Sequence, residues 1–139
     1  MLIFIMLLQY NKYIIVLRLA REFFYIMTTD GFKFNLDKNA KKVSIEVIGS
    51  FVPEKEKDFF ENYTRISSQI NPSEYTLFLD CTHMNIVAQN YVDKLGATFG
   101  LYKQTGFGNV LMKLSASAVV KMQLKRLARN ADLPFEFIE

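Results

Sequence analysis

The residues most able to do chemistry lie together in the stretch Asp80-Cys81-Thr82-His83. Residues two apart on a strand share a face, so Cys81 and His83 could form a thiolate–imidazole pair or supply two metal ligands. The chain has one His and one Cys in total, which leaves a zinc site incomplete. A Cys that ends an apolar strand is more often buried packing. We therefore rank a small thiol enzyme last of three hypotheses and predict no metal site.

A second group of residues is basic. Lys121, Lys125 and Arg129 recur every four residues and form a stripe on one face of a predicted helix, with Arg126 alongside. Such a stripe could bind phosphate groups or an acidic partner. A solvated helix face explains the same spacing, and the sequence favours this second interpretation.

Motifs for cofactor binding and for other catalytic classes are absent from the sequence. Neither GxGxxG nor GxxxxGK[ST] occurs, so no glycine-rich loop is predicted to hold a phosphate. There is no serine nucleophile elbow and no pair of catalytic carboxylates in a defined setting. We therefore predict that the chain is not an enzyme and has no cofactor.

The composition is that of one globular domain. Half of the 139 residues are hydrophobic, and the chain has 6 Gly, 3 Pro and 1 Cys, which excludes a collagen, a disordered tail and a disulfide-rich scaffold. A single Cys cannot form an internal disulfide, so a cytoplasmic location is expected. Residues 27–139 carry 14 basic and 13 acidic residues, and this near-neutral balance argues against nucleic-acid binding.

Residues 1–26 differ from the rest and are predicted to form a hydrophobic N-terminal extension. The apolar run that opens it ends too early for a transmembrane span, and it lacks the preceding charge and the cleavage site of a signal peptide. An interfacial helix remains open, and it would be the only route to a membrane. The sequence favours translation from Met27, which leaves a single domain over residues 27–139.

Alternating strand and helix periods predict the elements of this domain. They give the order β-β-α-β-α-β-α-β, in which a hairpin opens a largely parallel sheet of the α/β class. The strand over 75–81 is almost wholly apolar, as expected for a strand buried on both faces. The predicted strands are 32–36, 43–49, 75–81, 107–114 and 134–139, and the predicted helices are 53–70, 86–104 and 116–131.

Three segments of this pattern resemble the STAS family (sulfate transporter and anti-sigma factor antagonist). VSIEVIGSF is similar to the family's second strand, which ends in glycine, and EYTLFLDCTHMN is similar to the strand that leads to its regulatory loop. The stretch from Gly108 to the end of the chain resembles the family's final strand, serine, helix, turn and strand. The resemblance implies a central sheet with helices packed on it and a cytoplasmic, non-enzymatic regulatory role.

The family's phosphorylated serine has no counterpart in this sequence. It usually stands in an Asp-Ser-Ser-Gly stretch, where this chain has Val87-Ala88-Gln89-Asn90. Thr82 is the nearest hydroxyl, several residues earlier. The resemblance still implies a partner-binding surface over about residues 81–95, with an anti-sigma factor or a kinase-like regulator as partner. The partner-binding residues predicted on it are Thr82, His83, Asn85, Gln89 and Asn90.

A homo-oligomeric structural or assembly module is the alternative function. The chain has 13 Phe and 7 Tyr, which is enough to supply exposed aromatic anchors. This hypothesis places such anchors on the opening hairpin.

Overall fold

The computed structural model describes the backbone of residues 24–29, and both backbone and side chains of residues 31–50 and 53–138. Within these residues, six strands form one mixed sheet, and α-helices connect its last four strands. The elements are β1 (Phe24–Thr29), β2 (Phe32–Asp37), β3 (Lys42–Gly49), α1 (Glu56–Ser67), β4 (Thr76–Met84), α2 (Val92–Thr105), β5 (Asn109–Lys113), α3 (Ala118–Asn130) and β6 (Glu136–Ile138).

The strands lie in the sheet in the same order as in the chain. The first three strands pair antiparallel, and β3 to β6 pair parallel. Right-handed crossovers between successive neighbours place every helix on the same side of a sheet. The burial pattern of β2 agrees with helices on one side only, since Phe32, Phe34 and Leu36 are buried whereas Lys33 is exposed. The sheet therefore has a covered face, under the helices, and an open face.

The hydrophobic core lies between the covered face and the helices. The Phe59 ring of α1 packs against the rings of Phe32 and Phe34, with centroids 4.8 and 5.3 Å apart. Such aromatic pairs add to the stabilisation that burial alone provides. The side chains with almost no exposed surface are Phe34, Leu36, Val43, Ile45, Phe59, Ile66, Leu77, Leu79, Met112, Val120 and Leu124.

The predicted α/β class, hairpin and helices are confirmed, with shifts at their ends. The helix predicted over 53–70 opens with a short 3₁₀ turn and is α-helical over Glu56–Ser67. The helix predicted over 86–104 begins only at Val92. Ser117 caps α3, because its hydroxyl accepts a hydrogen bond from the Val120 amide.

The prediction that residues 75–81 are buried on both faces is wrong. Burial alternates along β4, and Phe78 and Asp80 lie half-buried on the open face. The physical reason is that all the crossovers lie on one side, so no helix covers this face. Phe78 is instead partly covered by Lys42, whose Nζ lies 4.3 Å from the ring centroid.

Exposed aromatic anchors on the opening hairpin are likewise not observed. The hairpin predicted over residues 32–49 has two aromatic residues, Phe32 and Phe34, and both belong to the core. Both lie on the covered face, because the β2 positions that alternate with Lys33 point toward α1.

The predicted N-terminal extension lies outside the described residues, except for positions 24–26. These three positions belong to β1, which continues through Thr29. The expected boundary between residues 26 and 27 therefore falls within a strand that pairs with β2 along its whole length.

Gly108 provides a test of how β5 is held at its start. Its amide donates to the carbonyl oxygens of Pro72 and Tyr75, at 3.1 and 3.0 Å. A Cβ at this position would overlap the Ser73 carbonyl oxygen. We expect Gly108→Ala to lower the free energy of unfolding by about 1–3 kcal/mol, measured by denaturant titration. The matched control is Gly100→Ala in α2, where a Cβ meets no atom within 4 Å.

The control should stabilise the fold by up to about 1 kcal/mol, because alanine favours a helix interior over glycine. Equal effects of the two substitutions would show that the backbone near Gly108 can move away at little cost.

Candidate functional site

The stretch from Asp80 to His83 contains a β-bulge. Glu46 of β3 pairs with Asp80, but Ile48 pairs with His83, so β4 carries one extra residue here. A bulge disturbs the ladder and leaves backbone groups without their regular partners. The Asp80 carboxylate compensates, since one of its oxygens accepts hydrogen bonds from both the amide (3.0 Å) and the hydroxyl of Thr82.

The charge on Asp80 is stabilised by its surroundings. Partial burial by itself raises the pKa of the carboxyl group. The two hydrogen bonds from Thr82, together with electrostatic interactions with Lys113 and His83, outweigh that effect, and the pKa of Asp80 lies below its ordinary value. Asp80 is therefore an ionised acceptor at neutral pH rather than a general acid.

Cys81 and His83 do not form a catalytic pair in this geometry. Cys81 is only 3% exposed and lines an apolar cavity with Leu79, Phe99 and Leu124. His83 is exposed, because the bulge breaks the alternation that would place both residues on one face. Burial, and then the charge of Asp80, raise the pKa of the Cys81 thiol to about 12. Packing is the role that this environment supports for Cys81.

The loop over residues 85–91 follows β4 and is fixed at two points. The Asn85 amide donates to the Gly49 carbonyl at 2.9 Å, and the Asn85 side-chain amide donates to the Ser50 hydroxyl at 3.1 Å. Further along, the side chain of Gln123 in α3 both donates to the Val87 carbonyl (3.0 Å) and accepts from the Val87 amide (2.9 Å). We call this pair of hydrogen bonds the Gln123 clamp.

Three exposed apolar side chains lie on the two segments that the Gln123 clamp joins. Ile86 is 56% exposed, Val119 45% and Met122 67%. Val119 and Met122 are neighbours on the surface of α3, and Ile86 precedes the clamped residue Val87. We call these three residues the apolar patch. Sequence reasoning did not single them out, although Val119 and Met122 stand outside the buried stripe of α3.

The predicted partner-binding residues are divided by the structure. Thr82, His83 and Asn85 line one open groove, together with Ile86 and the start of α3. Gln89 and Asn90 are exposed on a short 3₁₀ turn further along the loop, outside the residues that line this groove.

The predicted basic stripe is divided as well. Lys121 and Lys125 line a groove together with Lys113 of β5, whereas Arg129, in the last turn of α3, is not among its lining residues. Lys113 was not singled out from the sequence, because only the pairing of β4, β5 and β6 brings it near α3.

Neither a metal-binding cluster nor a membrane-spanning helix is found in the described part of the chain. In residues 24–29, 31–50 and 53–138, no group of three or more His, Cys, Asp or Glu residues is placed to hold a metal ion. Across the same residues, every helix is too short or too polar to cross a bilayer. Comparisons with protein-family models and with curated proteins find no match to this chain.

The burial of Cys81 predicts an unreactive thiol. At neutral pH, iodoacetamide should alkylate the native chain at least about a hundredfold more slowly than the chain unfolded in guanidinium, because almost no thiolate is present. The rates are measured by mass spectrometry of the intact protein. A native rate close to the unfolded rate would revive the thiol-enzyme hypothesis.

The hydrogen bonds to Asp80 predict a pH dependence. A carboxyl group whose folded pKa is lowered stabilises the fold above its unfolded pKa, and that contribution disappears as pH falls through the folded pKa. Carboxyl-carbon NMR should therefore find the Asp80 midpoint below 3.8. Thr82→Val should raise this midpoint, because it removes the hydroxyl donor.

The matched control is Thr76→Val on the same strand, which should leave the Asp80 midpoint unchanged. The stability difference between the Thr82→Val variant and the original chain should shrink in acid. An Asp80 midpoint unaffected by Thr82→Val would show that the hydroxyl does not stabilise the carboxylate.

Proposed function

We propose that this domain is a non-enzymatic regulatory module of STAS type that binds an acidic protein partner. Its docking surface consists of the loop over residues 85–91, the apolar patch and the exposed side of α3. The observation that carries the proposal is the Gln123 clamp, which joins the loop to α3 beside three exposed apolar side chains.

The apolar patch has the properties of an interface centre. Single exposed apolar residues are common on monomers, but neighbouring ones around a fixed loop are typical of interaction sites. The clamp holds the loop in place before binding, so less conformational entropy is lost when a partner docks. Met is also among the residue types enriched at interfaces.

The charge on α3 indicates the chemistry of the partner. The helix carries four basic residues and no acidic one. Two of them, Lys125 and Arg126, are exposed on the turn that follows Met122. Positive charge around an apolar centre steers a partner with an acidic rim and penalises a basic one. By the STAS resemblance, an anti-sigma factor or a kinase-like regulator is the proposed partner.

Phosphorylation of Thr82 does not control binding in this proposal. The Thr82 hydroxyl donates to the ionised Asp80 carboxylate, so phosphorylation of Thr82 would remove that hydrogen bond.

The test compares two helix-surface variants of the full chain as baits. Met122→Glu places a charge in the apolar patch, and the control Gln104→Glu adds the same charge at an exposed position on α2. Partners captured from cell extract are identified and purified, and their affinity for each variant is measured by calorimetry. We expect Met122→Glu to weaken binding about tenfold or more, and Gln104→Glu to change it less than twofold.

Equal affinity for both variants, or the absence of any partner, would contradict the docking surface. Light scattering of the original chain and of the two variants tests the alternative function, a homo-oligomeric module. A dimer that dissociates in Met122→Glu would show that the patch binds a second copy of this chain and would replace the regulatory proposal.

A further inference from the structure

A groove outside the apolar patch gathers unpaired positive charge. It lies where β5 and β6 end and α3 begins, and its volume is about 460 Å³. Lys113, Lys121 and Lys125 line it, with Phe137 and Ile138 on the side of β6. We call it the lysine groove.

The three lysines have no ion-pair partner among the residues that the structure describes. Four other lysines, Lys41, Lys57, Lys94 and Lys103, each lie within 4 Å of a carboxylate oxygen. Like charges that share a concave site repel each other, and the repulsion grows where protein replaces water. An anion in the groove would remove that repulsion.

The balance between the three lysines and Asp80 indicates the charge of a matching ligand. Asp80 is the cross-strand neighbour of Lys113 and offsets part of its charge. Lys121 and Lys125 then remain uncompensated, which matches an anion of charge near −2. A phosphate monoester carries that charge at neutral pH.

Two features favour an anion in this groove. The Lys125 Nζ lies 4.4 Å from the centroid of the Phe137 ring, and this cation–π contact keeps the ammonium group beside the groove. Lys121 stands in the first turn of α3, where the positive end of the helix dipole adds to the attraction for an anion. Ser115 lines the same groove and offers a hydroxyl.

We propose that the lysine groove binds a phosphate monoester. Lys125 also lies on the exposed side of α3 that the proposed docking surface includes, but phosphate binding is measured without a protein partner, so either proposal can fail while the other holds. Lysines act as point charges rather than as a bidentate fork, so the affinity is electrostatic and weakens with salt. A phosphorylated side chain and a small free phosphate would present the same group.

The test is an NMR titration of the isotope-labelled full chain at low ionic strength and neutral pH. The probes are inorganic phosphate and blocked phosphoserine, with blocked serine as the uncharged reference. We expect saturable shifts at Lys113, Ser115 and Lys121 with both phosphates and none with serine. Tighter binding of phosphoserine points to a modified side chain, and equal binding points to a free phosphate.

The double variant Lys121→Gln/Lys125→Gln should weaken phosphate binding about tenfold or more. The matched controls are Arg129→Gln, which removes one charge from α3 outside the groove, and the pair Arg126→Gln/Arg129→Gln, which removes two. Both should change the affinity less than about threefold. Circular dichroism and thermal melts confirm that each variant is folded.

Two results would overturn the proposal. One is the absence of saturable shifts at the groove residues. The other is an equal loss of affinity in the two double variants, which would reduce the effect to general attraction by a basic helix.

Discussion

The order of the strands determines where every other part of this molecule lies. Because β3, β4, β5 and β6 are parallel neighbours in chain order, each connecting helix crosses on the same side. One face of the sheet therefore receives all of the helices, and the alternating apolar residues of the strands meet them there. The connections that leave β4 and β5 start at the same edge, which is why the loop over 85–91 meets the beginning of α3.

The same strand order determines which side chains of β4 belong to the core and which face outward. Cys81 points to the covered face and becomes part of the core, whereas Asp80 and Thr82 point away from it. The bulge then turns His83 outward. Groups that are adjacent in sequence are thus assigned to different environments. What remains at the edge of the sheet is a surface of polar, basic and apolar side chains that no helix covers.

Much of the fold could be predicted from local periodicity, because helix faces leave a clear signal. Phe59, Tyr63 and Ile66 recur at helical spacing and are all buried. The apolar run of β4 misled the prediction, because Phe78 is as apolar as its buried neighbours and only the strand order leaves it on the open face. β1 was missed because an expected chain start at Met27 divided it.

The candidate site was less predictable, because its decisive contacts join distant parts of the chain. Thr82, His83 and Asn85 were predicted from the STAS resemblance, and the structure places them along one groove. Gln123 contacts Val87 across 36 residues, and nothing in its own neighbourhood distinguishes it from any polar helix residue. Lys113 is equally inconspicuous, since its relation to Lys121 and Lys125 depends on sheet pairing.

The Gln123 clamp makes the loop sensitive to a small covalent change. A primary amide offers a donor and an acceptor at one planar group, and so it can pair with both the N–H and the carbonyl of a single residue, Val87. Deamidation would convert this side chain to glutamate, which is isosteric but lacks the donor. A carboxylate would then face the Val87 carbonyl and repel it. Hydrolysis of this one amide, with uptake of water and release of ammonia, would thus weaken the attachment of the loop to α3, while the hydrogen bonds of Asn85 and the burial of Val87 would remain.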